Sequence, residues 1–116
     1  MNLGEKFAEV FFNYTGETSD DKLSSLLADD FVWETITKAR INDKIYENKE
    51  ETLNTLAQIK SPPDWKIFFS TDQILVASLQ ATAPIDNTKR GLIVSVLFEN
   101  GKAIKMISAN GDGSLV

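Results

Sequence analysis

At Ser61-Pro62-Pro63 the chain changes its hydrophobic period. Before that point apolar residues recur at helical spacing, and after it they run in strand-like blocks. Paired prolines cannot continue a helix and restrict the residue ahead of them, so the halves belong to different kinds of structure. The spacing beyond the prolines predicts strands over residues 65–70, 74–82, 91–99 and 102–109. Asn100-Gly101 lies between the last two. Such a pair supplies the positive φ angles of a type I′ turn and predicts a tight hairpin.

Ahead of the prolines, Leu3, Phe7, Val10, Phe11 and Tyr14 share one helical face, and Gly16 is read as the glycine that stops this helix. Ser19 or Asp20 caps a second helix, whose stripe is Leu23, Leu26 and Leu27, and Ala28-Asp29-Asp30 breaks it. The aromatic and β-branched residues 31–36 predict a strand with Phe31, Trp33 and Thr35 on one face and Val32, Glu34 and Ile36 on the other. A polar loop follows, with Ile45-Tyr46 as a short strand. Asn48 and Glu51 are spaced as a capping box opening a third helix with a core face of Leu53, Leu56 and Ala57. Helices gathered at the front and a meander of strands behind predict one α+β domain over residues 1–116 with an antiparallel sheet.

Composition narrows the chemistry. The 116 residues include no cysteine and no histidine, which excludes disulfides, a Cys nucleophile, Cys/His zinc sites, a Ser-His-Asp triad and a histidine base. No cofactor or metal is expected. The formal net charge of −5 argues against nucleic-acid binding, which rests on clustered Lys and Arg; Lys38, Arg40 and Lys44 are interrupted by Asp43. No apolar run reaches the roughly 18 residues of a membrane span, and the first residues lack the build of a signal peptide. The expectation is a soluble, cytoplasmic protein.

A sheet covered on one side alternates apolar and polar residues. Residues 92–98, Leu-Ile-Val-Ser-Val-Leu-Phe, do not alternate, and Ile74-Leu-Val-Ala is similar. Both faces of these strands therefore need cover. Helices can supply one side; a homodimer through the open face is the simplest supply for the other, with strong curling of the sheet as the alternative.

The helix, Asp-rich turn, second helix, Ala-Asp-Asp-Phe-Val-Trp-Glu, capped helix and long meander closing on Asn-Gly-Lys-Ala-Ile resemble the nuclear transport factor 2-like superfamily, which includes ketosteroid isomerase and the SnoaL-like polyketide cyclases. The likeness spans residues 3–110, and its most specific piece is residues 26–34. It implies a cone, a curved antiparallel sheet wrapped around N-terminal helices with a pocket at the wide end, and frequently a homodimer. Against the isomerase pattern, Thr35 falls where the general-base Asp would sit, Phe11 where the oxyanion-hole Tyr would sit, and Val94 where its protonated acidic partner would sit. Threonine is no base near neutral pH, and Phe and Val donate no hydrogen bond to an enolate. Isomerase chemistry is therefore not expected.

Within that cone, Tyr14, Trp33, Thr35, Trp65 and Phe69 are the expected lining of a pocket for a small, largely apolar molecule. Trp33 as core filler and Tyr14 with its tip in water are the structural alternatives. Ser78 and Ser95 offer hydroxyls in otherwise apolar strands. Glu34, Asp43 and Tyr14 are the weak catalytic candidates for a lyase or isomerase acting on a polyketide- or terpenoid-like substrate. Strand alternation turns Glu34 away, and Asp43 with Arg40 reads more simply as surface charge. A protein-interaction module using the sheet face is the third possibility.

Overall fold

Helix α1 (Leu3–Phe11) starts where the chemistry of Asn2 dictates. The Asn2 side chain accepts from Glu5 N at 2.9 Å while Glu5 Oε1 accepts from Asn2 N at 3.0 Å, a reciprocal capping box. In this computed structural model, which describes residues 1–19, 21–36, 45–82 and 89–110, the cap is itself anchored. Asn2 Nδ2 donates to the Ser70 carbonyl at 2.9 Å, and Ser70 Oγ donates to Asn2 Oδ1 at 2.7 Å. The helix ends earlier than its apolar stripe predicts. Phe12 is the C-cap, and Tyr14 lies beyond it with its amide on Phe11 O at 3.3 Å. Leaving the helix there buries Phe12 as well as Phe7 and Phe11. Gly16 is therefore not the stop. It permits a close approach: its amide donates to Ile59 O at 3.0 Å, and a Cβ there would lie 2.4 Å from the Ala57 carbonyl oxygen.

Helix α2 (Asp21–Leu26) passes directly into strand β1 (Leu27–Ile36). Ala28-Asp29-Asp30 does not separate them. It forms an irregular stretch of β1, with a register shift between Leu27 and Val32 that leaves Asp29 and Asp30 exposed. Strand β2 (Tyr46–Asn48) leads into helix α3 (Lys49–Leu56), opened by the expected box: Asn48 Oδ1 accepts from Glu51 N at 2.9 Å and Glu51 Oε1 from Asn48 N at 3.1 Å. The core face of α3 differs from expectation. Thr52, Thr55 and Leu56 are buried, Leu53 is half-buried and Ala57 is exposed. Strands β3 (Asp64–Ser70), β4 (Ile74–Thr82), β5 (Lys89–Glu99) and β6 (Lys102–Asn110) form the meander. Asn100 and Gly101 adopt φ of 55° and 78°, as the β5–β6 turn requires.

The six strands lie in the order β2-β1-β6-β5-β4-β3. The sheet is mixed, not wholly antiparallel, because the meander returns β6 alongside β1 in the same direction. Register shifts in β1, β3 and at Leu97/Phe98 bend the strands, and the sheet curves around the helices. Helix α1 packs on β3 and β4, α2 on β1 and β6, and α3 on β1 and β2. The interior between them is aromatic. Phe7 stacks on Phe11 at 5.0 Å and meets Phe98 edge-on at 5.4 Å, and Phe11 meets Trp33 edge-on at 6.1 Å.

Candidate functional site

Strand alternation decides which side chains enter the cone. Residues at paired positions leave the sheet on the same face. Trp33 and Thr35 of β1 point inward with Met106 and Ser108 of β6 and Val94 of β5, and all five are buried. Glu34, one residue away, faces outward, where Lys105 Nζ lies 3.5 Å from its carboxylate.

A partly open cavity of about 20 Å³ lies in this interior. Its sheet side is Trp33, Leu79, Leu92 and Met106, its helix side Phe11, Phe12 and Tyr14, and its lip Leu56, Ile59 and Pro63. Tyr14 carries the one hydroxyl among these residues. The Trp33 indole N–H is directed to the buried Ser108 hydroxyl at 2.6 Å, so the ring is held in place while its face remains apolar. The volume suffices for about one water, for which roughly 10–15 Å³ is the lower limit, but the walls offer such a guest few polar partners. A larger hollow of about 450 Å³ lies open at the surface between Asp29, Asp30, Glu99, Asn100 and Lys102. Its apolar, aromatic walls and its place inside the cone mark the interior cavity as the candidate site. Among the described residues no group of three or more acidic side chains is placed to hold a metal, and no helix is long and apolar enough to cross a membrane.

Tyr14 and Trp33 line the cavity. Thr35 is buried on the same inner face as Trp33 without lining it. Trp65 is half-buried behind the wall. Its ring lies 5.7 Å from that of Phe12 and its indole N–H donates to Asn13 Oδ1 at 3.0 Å. Phe69 departs from expectation and is 56% exposed. The register shift between Ile67 and Phe69 reverses the alternation of β3, turning Phe69 outward and Ser70 inward to the α1 cap. Ser78 and Ser95 pair with Ile93 and Val76 on the outer face, away from the cavity. Asp43 and Arg40 lie outside the described residues.

The positions matched to the isomerase pattern converge. Thr35 and Val94 both pair with Ser108, and Phe11 reaches Trp33. The side chains at these positions perform no enolate chemistry.

One interior group escaped the sequence. Glu47, the Cα partner of Trp33, is 4% exposed and accepts from Thr55 Oγ1 at 2.5 Å. The short strand expected at Ile45-Tyr46 is present but begins at Tyr46 and runs to Asn48; Ile45 and Tyr46 are exposed, and the register that pairs Tyr46 with Glu34 turns Glu47 inward. A single Glu between Tyr and Asn carries no local mark of burial; only the pairing with Trp33 reveals it.

No protein-family model and no curated protein matches the chain. Solved structures do. A nuclear transport factor 2-like protein from Anabaena variabilis ATCC 29413 superposes with a TM-score of 0.64 at 13% identity over 95% of this chain and 87% of that one. An LEH-like epoxide hydrolase from M. tuberculosis gives 0.65 at 13% identity over 93% and 82%. A de novo designed protein with a curved β-sheet gives 0.66 at 16% identity over 97% and 87%. An enzyme and a designed protein align equally well, so the likeness carries architecture and no activity. The mixed, curved, open sheet around N-terminal helices is the nuclear transport factor 2-like fold.

Proposed function

We propose that this protein binds a small, largely apolar molecule in the interior of its cone. The apolar cavity, with Trp33 on one side and Phe11, Phe12 and Tyr14 on the other, is the observation that carries the reading. A guest larger than water requires the cavity to widen. Its lip supplies the means: Ile59 and Pro63 are half-buried and lie outside the regular elements, and Ile59 is tied across by the Gly16 amide at 3.0 Å. Displacing that lip opens the site without unpairing a strand.

Calorimetric titration with naphthalene tests this. Saturable binding is expected, together with a stabilisation that grows with ligand concentration, about 2.7 kcal/mol at a hundredfold excess over Kd. Leu79→Phe fills the cavity from the sheet side and should weaken binding at least about tenfold, at a folding cost of roughly 1–3 kcal/mol. Absence of saturable binding, or binding indifferent to Leu79→Phe, contradicts the reading.

The outer sheet face supports a second element, a homodimer. Phe69, Val76, Ser95 and Ile107 follow one another across paired strands, with Ile74 and Leu97 alongside. Phe69 and Leu97 are 56% and 39% exposed. Apolar side chains grouped on one sheet face, here bordered by the Glu34–Lys105 pair, invite cover, and a second copy of the same face is self-complementary to them.

A further inference from the structure

Between α3 and β3 runs a strap, residues 57–63, that carries the lip of the cavity. Five of its seven residues, Ala57, Gln58, Lys60, Ser61 and Pro62, are exposed. The two that are half-buried, Ile59 and Pro63, are the two that line the cavity. The strap is anchored at both ends. At the first, the amides of Ala57, Gln58 and Ile59 donate back to the carbonyls of Leu53, Thr55 and Leu56 in α3. Just past the second, the Trp65 indole N–H donates to Asn13 Oδ1. In between, the Gly16 amide donates to the Ile59 carbonyl at 3.0 Å. Among the described residues this is the one backbone hydrogen bond that ties the strap to the front of the chain.

The far side of that bond is braced. Residues 15–18 close on themselves: Thr18 N donates to the Thr15 carbonyl at 3.0 Å, and Thr15 N to Thr18 Oγ1 at 3.1 Å. This turn presents Gly16 to the strap, two residues after Tyr14, which lines the cavity from the helix side. Gly16 has no positive φ, so its backbone conformation is open to other residues. What requires glycine is the approach. A Cβ there would run into the Ala57 carbonyl oxygen, a backbone atom that cannot swing aside as a side-chain tip can. The Gly16–Ile59 bond thus holds Ile59 against the cavity, and a guest that needs the strap displaced must break it. A protein that must open before it binds has its apparent affinity lowered by the fraction that is open.

We propose that the Gly16–Ile59 contact is a latch controlling access to the cone: it keeps the strap closed over the cavity, and an apolar guest of aromatic size binds by releasing it. The inference rests on the apolar-pocket reading and adds to it the residue that governs entry.

Two measurements with naphthalene test the latch. Amide hydrogen exchange of the wild-type protein reads it directly. Ligand binding stabilises the fold and slows exchange at paired amides such as those of Leu79 and Leu92. The Gly16 amide should move the other way, exchanging at least about tenfold faster in the saturated protein than in the free one. Calorimetric titration of Gly16→Ala reads the cost of opening. The added methyl forces turn and strap apart, so the variant should bind naphthalene at least about threefold more tightly than wild type, the scale of one hydrogen bond that no longer has to be broken. A substitution that merely loosened the fold would leave the affinity unchanged or weaken it. The exchange measurement needs no variant, so it decides the question if Gly16→Ala does not fold. A Gly16 amide that keeps or gains protection in the saturated protein overturns the latch and leaves the apolar pocket standing. A folded Gly16→Ala protein that binds no more tightly than wild type does the same. Absence of naphthalene binding in both proteins overturns pocket and latch together.

Discussion

Replacing Phe7 by alanine is expected to remove about 3–5 kcal/mol of folding stability, a large share of the roughly 5–15 kcal/mol that holds a domain of this size together. Phe7 is 0% exposed and sits where helix and sheet meet, stacked on Phe11, edge-on to Phe12 at 6.4 Å and edge-on to Phe98 at 5.4 Å. Truncation loses the transfer free energy of the ring and leaves a void that three other aromatic rings cannot fill without leaving their own packing. The Asn2 cap, tied to Ser70, further limits how far α1 can sink into the gap. Urea denaturation read by far-ultraviolet circular dichroism measures the loss. A cost below about 1 kcal/mol would mean that α1 is not seated against the sheet in solution.

Ser95→Lys is expected to convert a dimer to a monomer with little effect on the fold. Ser95 lies at the centre of the outer face, with Val76 and Ile107 as its partners on either side. In a single chain a lysine there reaches water along its flexible stem and buries no charge. Between two facing copies it places like charges in a desolvated contact, at a cost of several kcal/mol, and each 1.4 kcal/mol weakens association tenfold. Sedimentation at micromolar concentration should give about twice the 12.9 kDa chain mass for the wild type and the chain mass alone for the variant. A wild-type monomer would refute the homodimer and leave the face to a different protein; a variant that remains dimeric would move the interface elsewhere.

Much of the architecture was legible because local rules and global fold agree. The Asn48–Glu51 box, the Asn100-Gly101 turn and the unalternating run in β5 each have a single physical reading, and each lies where it was expected. What could not be read depends on pairing across the sheet. The parallel β1–β6 contact is set by where the meander returns, which no local window contains. The bulge that turns Phe69 outward is a mismatch between β3 and β4, invisible in Trp-Lys-Ile-Phe-Phe-Ser alone. Thr52 and Thr55 join the expected Leu56 on the buried face of α3, Leu53 packs at its edge and Ala57 is turned out, and Thr55 faces the carboxylate of Glu47. An apolar helix face is the ordinary expectation; a polar one follows only once Glu47 is known to point inward. Within the cavity, period and type single out Trp33 and Tyr14 as inward-facing candidates, whereas Leu79, Leu92 and Met106 become lining only through the curvature of the sheet.

The missing histidine and cysteine acquire a definite meaning in this setting. The interior positions corresponding to the isomerase machinery are Thr35, Phe11 and Val94, and the one buried carboxylate described there, Glu47, stands on a different strand. The cavity is thus walled by apolar side chains, and the buried carboxylate lies outside its lining.

The most direct test is a two-dimensional proton–nitrogen spectrum of the protein titrated with naphthalene, followed at the indole N–H of its two tryptophans. Trp33 lines the cavity and donates to Ser108, whereas Trp65 stands behind Phe12 and donates to Asn13. The account predicts a saturable shift of the Trp33 indole signal that exceeds that of Trp65, accompanied by amide shifts at Leu79, Leu92 and Met106. Shifts confined to Phe69, Val76 and Leu97 on the outer face, or no saturable shift at Trp33, would contradict it.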